Sequence, residues 1–157
     1  MNEYLVDEFK TLFYEPAGQN HYKLLMDLCA GKSLVFDVGT YKGASAVAMS
    51  VADRVITFDI QKFTGLLPEN VTQVVTDDFT THKDLLKAEI ILIDVDPHDG
   101  IKERVFLNKL VEMGYSGTVI FDDIYLDKMN LFWESITQKK EDVSHLGHYT
   151  GTGIVYL

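Results

Sequence analysis

Aspartates recur at the points where short apolar runs end. Five runs rich in Val and Ile each finish on one or two of them: Asp37, Asp59, Asp77 and Asp78, Asp94 and Asp96, and Asp122 and Asp123. Aspartate is uncommon inside strands, and it often begins a turn or caps the next helix. Because Ser, Thr or Asn would cap equally well, the repetition of aspartate predicts a site that binds hydroxyls, amines or cations.

Two glycines follow the first of these runs, in the stretch "LVFDVGTYKGASA". A dinucleotide fingerprint, G-x-G-x-x-G, needs a second glycine where its backbone approaches a pyrophosphate, and this chain has Tyr41 there. The stretch instead reads D-x-G-x-x-x-G, with Gly39 and Gly43. This spacing favours a ligand without a pyrophosphate, for which Gly39 is expected to leave space. It argues against a nucleotide-dependent oxidoreductase.

The second and third runs end where a nucleoside would need hydrogen-bond acceptors. Asp59 ends the second run, a position from which a carboxylate accepts two ribose hydroxyls. Asp77 or Asp78 ends the third run and could accept the exocyclic amine of adenine, and the sequence leaves open which of them does. These acids predict a cationic nucleoside that carries ribose and adenine but no phosphates.

The elements that position these residues alternate along the chain. Predicted strands cover residues 33–39, 54–60, 71–78, 89–96 and 117–124, and most of them lack the polar alternation of a half-exposed strand. Helical patterns lie between and after them, including residues 82–88 and 126–140. The pattern predicts an α/β fold with a Rossmann-like, doubly wound and mostly parallel sheet that has helices on both faces. Residues 143–157 predict an antiparallel C-terminal hairpin at one edge.

The length of 157 residues predicts one domain, which spans residues 1–157. Residues 1–30 predict two helices interrupted at "EPAG", and this N-terminal segment could form a lid or an interface. Residues 62–71 are the other candidate for a lid. Since so little sequence is left to cover a substrate, we expect that a homodimer completes the site.

Composition narrows the possible partners and the compartment. The chain has 24 acidic and 14 basic residues and a net charge of −10, which argues against a nucleic-acid partner. No apolar run approaches the roughly 20 residues of a membrane span, and the acidic N-terminus lacks the basic start of a secretory signal. The single cysteine, Cys29, fits a reducing compartment. We therefore expect a cytoplasmic protein with no nucleic-acid or membrane partner.

The order of these motifs resembles that of the class I S-adenosylmethionine-dependent methyltransferases, in particular a compact O-methyltransferase-like subgroup. "FDVGTYKGAS" is similar to their first motif, "ILIDVDPH" and "GTVIFDDI" to their fourth and fifth strands, and "LGHYTGTGIVYL" to their closing hairpin. The resemblance implies S-adenosylmethionine as the cofactor. It implies these cofactor-binding residues: Asp37 and Gly39 at the methionyl part, Tyr41, Gly43 and Asp94 nearby, Asp59 at the ribose, and Asp77 or Asp78 at adenine.

Three of the acids could also hold a metal ion. Asp94, Asp122 and Asp123 end the fourth and fifth strands, and oxygen ligands suit Mg²⁺ or another hard divalent cation. Catechol-type O-methyltransferases carry a metal at these strand ends with Asp, Asp and Asn, whereas this chain has Asp123 in the place of the Asn. A bound cation lowers the pKa of a hydroxyl and orients it. The alternative interpretation is that Asp122 and Asp123 only cap the next helix.

Histidine is the other candidate for catalysis. His98 follows Asp96 and Pro97 in the fourth loop, where an imidazole could deprotonate an alcohol, with Asp94 beside it. The three histidines at positions 21, 145 and 148 are expected to be loop or core residues. The sequence therefore leaves open whether His98 or a bound metal ion activates the acceptor hydroxyl.

These features predict a methyltransferase that acts on a hydroxyl of a small molecule or carbohydrate, with metal assistance left open. The competing hypothesis is a non-catalytic module that binds S-adenosylmethionine or a related nucleoside and serves sensing or assembly. The sequence does not identify the acceptor.

Overall fold

The computed structural model describes residues 2–5 and 20–157. The first predicted N-terminal helix falls mostly on residues 6–19 and so lies outside the described residues. A single 3₁₀ turn covers Asn2–Tyr4, and helix α1 covers His21–Cys29. Asn20 is the N-cap of helix α1, because its side chain accepts a hydrogen bond from the Lys23 N–H at 3.0 Å.

Seven strands form one sheet whose order is β3-β2-β1-β4-β5-β7-β6. The strands are β1 Val35–Val38, β2 Val55–Asp59, β3 Val71–Val75, β4 Ile90–Ile93, β5 Thr118–Asp122, β6 Lys139–Asp142 and β7 Thr152–Tyr156. The first five are parallel, and β7 runs antiparallel to both β5 and β6. The predicted fold class is therefore confirmed, and the order reverses direction between β1 and β4, where open α/β sheets bind their ligands.

Helices cover both faces of the sheet because its central strands are apolar on both sides. On one face, α1 and α2 (Ala44–Met49) share a buried cluster with Val35 and Leu92. On the other face, α3 (Ile101–Glu112) and α4 (Asp127–Ser135) share a second cluster with Phe36. Side chains alternate between the faces of a strand, so neighbours such as Val35 and Phe36 enter different clusters. Among the described residues, no helix has the length and apolar character of a membrane span.

The C-terminal strand pair is present, but its first strand begins earlier than predicted. Strand β6 covers Lys139–Asp142. The sequence pattern assigned its first two residues to the end of a helix over 126–140, and that helix ends at Ser135. Strand β6 lies at the edge of the sheet, and its charged residues are mostly exposed. Charged side chains on an edge strand discourage pairing with other chains. Because these side chains are charged, the strand lacks the apolar pattern by which strands are predicted.

The predicted helix over 82–88 is also wrong. The chain forms only one short 3₁₀ turn there, at Leu85–Lys87, and another just before it at Phe79–Thr81. A segment of seven residues offers few i→i−4 hydrogen bonds to offset the cost of nucleating an α-helix. These turns still position the end of β3 beside α3.

Gly39 joins the tips of β1 and β4, which is a different role from the one expected. Its φ is +113°, and a Cβ added there would lie 1.8 Å from the backbone carbonyl oxygen of Asp94. The Asp94 N–H donates to Val38 O at 2.9 Å and ties the end of β4 to β1, while the Gly39 N–H donates to Phe58 O of β2 at 2.8 Å. Gly39 is therefore required by the packing of two strand ends, whether or not a ligand is bound.

We expect Gly39→Ala to lower the free energy of unfolding by about 3 kcal/mol or more, because the new Cβ meets backbone that cannot move aside and the backbone conformation is strained. The matched control is Gly114→Ala. Gly114 also has a positive φ, +72°, but an added Cβ would have no atom within 4 Å. The control should cost only about 1 kcal/mol of strain. Equal losses in chemical denaturation would contradict the packing role.

Candidate functional site

A cavity of about 380 Å³ opens at the carboxyl ends of the strands, on both sides of the β1–β4 contact. One wall is the turn after β1, residues 39–42, with the first residues of α2. The cavity is also lined by three carboxylates and three imidazoles: Asp94, Asp122, Asp123, His21, His98 and His148. The structure thus brings together all three acids that the sequence predicted as metal ligands, together with the predicted base. It adds two histidines that were expected to have no role in a site.

Three non-glycine residues of this cavity have left-handed backbone. They are Tyr41 at φ +42°, His98 at φ +53° and Asp123 at φ +60°. Such conformations are uncommon for residues with a side chain and tend to cluster at functional sites. In extended strand, consecutive side chains point to opposite faces. The left-handed turn at Asp123 breaks this alternation, so that both Asp122 and Asp123 approach the same imidazole, as described below.

His98 lies among carboxylates. Its Nδ1 is 3.2 Å from Asp123 Oδ2 and 3.8 Å from Asp94 Oδ1. Its Nε2 is 3.3 Å from Asp96 Oδ1, and the Asp96 side chain is 96% exposed. The half-buried Asp123 carboxylate at Nδ1 holds the imidazole in one orientation, whereas the exposed Asp96 side chain can turn to solvent.

His148 and His21 are the site residues that sequence reasoning missed. His148 Nδ1 lies 3.7 Å from both Asp122 Oδ2 and Asp123 Oδ1. His21 Nδ1 lies 3.7 Å from Asp122 Oδ1, at too great a distance for a hydrogen bond, and this buried nitrogen has no hydrogen-bond partner.

A signal for His148 exists in the sequence, but it needs the strand register. Asp122 pairs with Thr152 across the β5–β7 ladder, so the loop that ends just before Thr152 must lie beside the end of β5. His21 carries no comparable signal, because its position depends on how α1 packs against the sheet.

Burial and mutual repulsion perturb the acids of the cluster. Burial raises the pKa of Asp94, and the Asp122 carboxylate raises it further. Burial followed by the charge of Asp123 likewise raises the pKa of Asp122. Burial opposes ionisation of Asp123 too, but the neighbouring imidazole of His148 holds the pKa of Asp123 below its usual value, and the Asp123 carboxylate raises the pKa of His148. Burial lowers the pKa of His21 to about 4.

The predicted ribose acceptor lies directly behind the turn after β1. Asp59 Oδ2 accepts a hydrogen bond from the Tyr41 N–H at 2.8 Å, and Asp59 Oδ1 accepts one from the Gln61 N–H at 3.0 Å. Each carboxylate oxygen can accept more than one hydrogen bond, so the side chain retains acceptor capacity. Asp59 does not line the cavity itself. It is hydrogen-bonded to Tyr41, a lining residue that is 68% exposed.

Gly43 begins α2 with a φ of +82°. A Cβ added there would lie 3.2 Å from the Phe63 ring and 3.3 Å from the Leu67 side chain. The segment 62–71, predicted as a possible lid, therefore packs against the start of α2. Gly43 does not line the cavity.

Asp77 and Asp78 differ in how far the fold already uses them. Asp78 caps the 3₁₀ turn after β3 by accepting a hydrogen bond from the Thr80 N–H at 3.1 Å, and it forms an ion pair with Lys109. Asp77 is exposed. A ligand at this edge would therefore meet Asp77 without having to break the contacts of Asp78.

Asp37 lies beneath the site, fully buried, and does not line the cavity. Its Oδ2 accepts a hydrogen bond from the Thr57 hydroxyl at 2.6 Å, and the Thr57 and Thr40 hydroxyl oxygens are also 2.6 Å apart. Burial raises the pKa of Asp37 to about 7, against the opposing effect of hydroxyl hydrogen bonds from Thr57 and Ser45. A direct contact of Asp37 with a cofactor stays a prediction.

The arrangement of donors decides which metal the acids could hold. Two groups of three residues have ligand atoms within 4.8 Å of one another, and they are Asp94 with His98 and Asp123, and Asp122 with Asp123 and His148. Each group contains an imidazole, and neither consists of the three predicted carboxylates. Mg²⁺ prefers oxygen ligands and water. The described residues therefore do not form the oxygen-only set that was expected for Mg²⁺.

No protein-family model and no curated protein sequence matches the chain. Solved structures do match. A methyltransferase from Geobacter sulfurreducens has a TM-score of 0.59 and 18% identity, over 86% of this chain and 77% of that one. Cofactor-bound Rv0187 from MTB has a TM-score of 0.57 and 14% identity, over 86% and 78%. An SAH-bound methyltransferase of Podospora anserina has a TM-score of 0.57 and 12% identity, over 87% and 76%.

These similarities establish the fold. The chain has the Rossmann-like fold of class I S-adenosylmethionine-dependent methyltransferases, as the motif order predicts. Unrelated activities can share one fold, so the reaction has to be argued from the site.

The buried Asp37 makes stability depend on pH. Its pKa is about 7 in the folded chain, whereas the ordinary value for an aspartate is 3.8. The folded state therefore binds the proton more tightly than the unfolded state. Its contribution to the free energy of unfolding should fall as pH rises from about 4 to about 7 and then stay constant.

We expect the free energy of unfolding of the natural chain, minus that of Asp37→Asn, to decrease between about pH 5 and about pH 8. The asparagine does not titrate, so the difference isolates this carboxyl. Urea denaturation at several pH values measures it. A difference that stays constant over this range would show that Asp37 is ionised throughout.

Proposed function

We propose that this chain is an S-adenosylmethionine-dependent methyltransferase that transfers a methyl group to a hydroxyl of a small molecule or carbohydrate. The observation that carries the proposal is the cavity that joins the turn after β1 to the cluster of carboxylates and imidazoles. In this fold the first of these features lies at the ligand-binding edge. The second supplies groups that can accept a proton from a hydroxyl.

The acidic residues along the sheet edge fit a nucleoside that carries no phosphate. S-adenosylmethionine supplies a methyl group on a positively charged sulfur. We assign the ribose hydroxyls to Asp59, which retains acceptor capacity, and the adenine amine to Asp77, because Asp78 is already engaged by Lys109. Gly39 and Tyr41 form the turn beside the cofactor.

His98 is the proposed general base. Its Nδ1 faces Asp123 at 3.2 Å, which favours the tautomer that has the proton on Nδ1 and a lone pair on Nε2. Nε2 can then take the proton of an acceptor hydroxyl while Asp123 stabilises the resulting imidazolium. Asp94 lies 3.8 Å from the same Nδ1 and adds to that stabilisation. Holding base and hydroxyl in one place supplies much of the acceleration in such reactions.

The acceptor would approach His98 from a second cavity of about 500 Å³. This cavity shares His98 with the first and is lined by apolar, aromatic and charged groups that include Tyr125, Leu126 and Lys128. Such a mixed surface fits a small hydroxylated molecule that has both an apolar face and polar edges. A homodimer and a cytoplasmic location remain predictions beside this proposal.

Replacing Asp59 tests the cofactor. We expect Asp59→Ala to weaken the binding of S-adenosylhomocysteine about 10-fold or more, because a carboxylate that pairs with two hydroxyls is worth about 1.5–3 kcal/mol. Isothermal titration calorimetry measures the change. The matched control is Asp53→Ala, an exposed aspartate just before the other end of the same strand, which should bind normally. An Asp59→Ala chain that is folded and binds as tightly as the control would remove the ribose assignment.

Replacing His98 separates an enzyme from a binding module. We expect His98→Gln to lower kcat about 10²- to 10⁴-fold, with little change in the affinity for S-adenosylhomocysteine. The control is His145→Gln, an exposed histidine outside both cavities. Methyl transfer to a panel of phenols and sugars is followed by the release of S-adenosylhomocysteine. Normal turnover in His98→Gln would exclude this base. A natural chain that binds the cofactor but methylates none of the panel would favour the non-catalytic module.

A further inference from the structure

The carboxylates of the cluster are balanced by imidazoles. Within residues 20–157, no lysine or arginine forms an ion pair with Asp94, Asp122 or Asp123, and every ion-pair distance to these acids involves a histidine. Buried carboxylates without a compensating positive charge are costly. A neutral imidazole offers a lone pair and no charge. The cluster therefore has metal-binding donors without a fixed cation of its own.

The end of β5 places two of these carboxylates around one imidazole. His148 Nδ1 is 3.7 Å from Asp122 Oδ2 and 3.7 Å from Asp123 Oδ1. Two atoms bound to one tetrahedral Zn²⁺ lie roughly 3.3 Å apart, given metal–ligand lengths of about 2.0–2.1 Å. The two distances to Nδ1 exceed this value by only a few tenths of an ångström, and the ligand atoms of the three residues lie within 4.8 Å of one another.

His21 supplies the independent sign of a ligand. It is 92% buried, since only 8% of its surface is exposed, and it lines the cavity. Among the described residues, its Nδ1 has no hydrogen-bond partner. The nearest acceptor, Asp122 Oδ1, is 3.7 Å away. If Nδ1 of His21 carries a lone pair, that lone pair faces the Asp122 carboxylate with no positive charge between them. If Nδ1 carries a proton, the proton is too far from Asp122 Oδ1 to form a hydrogen bond. A cation bound by both groups resolves either case.

We propose that the two carboxylates at the end of β5 and two imidazoles, those of His21 and His148, bind a divalent first-row transition-metal ion. Imidazole ligands suit Zn²⁺, Fe²⁺, Co²⁺ and Ni²⁺, whereas Mg²⁺ suits oxygen ligands and water. The Thr150 hydroxyl, now 2.6 Å from His148 Nδ1, would give up that contact when Nδ1 binds the ion.

This inference deepens the proposed function, because the ion would lie in the same cavity as the acceptor hydroxyl. It leaves His98 and Asp94 to act on the proton. Metal binding is measured on the chain alone, without cofactor or acceptor. The metal site and the methyl transfer can therefore fail separately.

The experiment titrates chelator-treated protein with Zn²⁺ against a chromophoric chelator, and with Co²⁺ followed by visible absorption. We expect one ion per chain, a Co²⁺ spectrum typical of nitrogen and oxygen ligands, and no displacement of Zn²⁺ by millimolar Mg²⁺. His148→Ala should weaken Zn²⁺ binding by at least about 10-fold, since even changes to outer-shell partners of a metal site cost 10- to 100-fold. His21→Gln should weaken it as well.

His145→Ala, an exposed histidine three residues before His148, is the matched control and should bind Zn²⁺ as the natural chain does. Circular dichroism and thermal melting show whether each variant is folded. The proposal is overturned if the natural chain binds no Zn²⁺, if Mg²⁺ displaces it, or if the folded His148→Ala chain binds it as tightly as the control. Loss of binding in both the His148 and the His145 variants would show that the loop, and not the imidazole, is responsible.

Discussion

The contact between the tips of β1 and β4 is the constraint on which the rest of the site depends. Gly39 can lie against the Asp94 carbonyl only because it has no Cβ, and the two strand ends are held there by backbone hydrogen bonds. This close approach fixes where the chain leaves each strand. The turn after β1 leads to α2 on one face of the sheet, and the loop with His98 leads to α3 on the other. Both the turn and the titratable cluster line one cavity.

Most of the fold could be predicted because burial on both faces leaves a strong pattern. Strands β1, β4 and β5 are continuous apolar runs, and alternation with helices allows few arrangements of a parallel sheet. Strand β6 could not be found in this way, because an exposed edge strand made of "KKED" buries too little apolar surface to leave a pattern. The helix predicted over 82–88 failed for a different reason: local apolar spacing does not reveal whether a segment is long enough to form an α-helix.

The site was predictable to the extent that it follows from strand ends. Asp94, Asp122 and Asp123 converge because the carboxyl ends of neighbouring parallel strands meet at one edge, and His98 follows β4 closely enough to join them. His148 required the register of an antiparallel pair, and His21 required the packing of a helix. Neither is a local property of the sequence. The fold adds structural roles for Gly39 and Asp37 that a motif cannot show: Gly39 packs against the Asp94 carbonyl, and Asp37 accepts a hydrogen bond from Thr57 beneath the cavity.

The chemical character of the cluster follows from what stabilises it and what does not. Burial and the neighbouring carboxylates raise the pKa of Asp94 and of Asp122, and a lysine or arginine among these acids would offset the repulsion most simply. The described chain places imidazoles there instead, and an imidazole can carry a proton or bind a metal. Such a cluster contributes less to stability than a fixed ion pair would, but it can change its protonation or its ligands without unfolding the sheet edge. That property is useful where a proton has to leave a hydroxyl, and it has no evident use in a cluster that only caps helices.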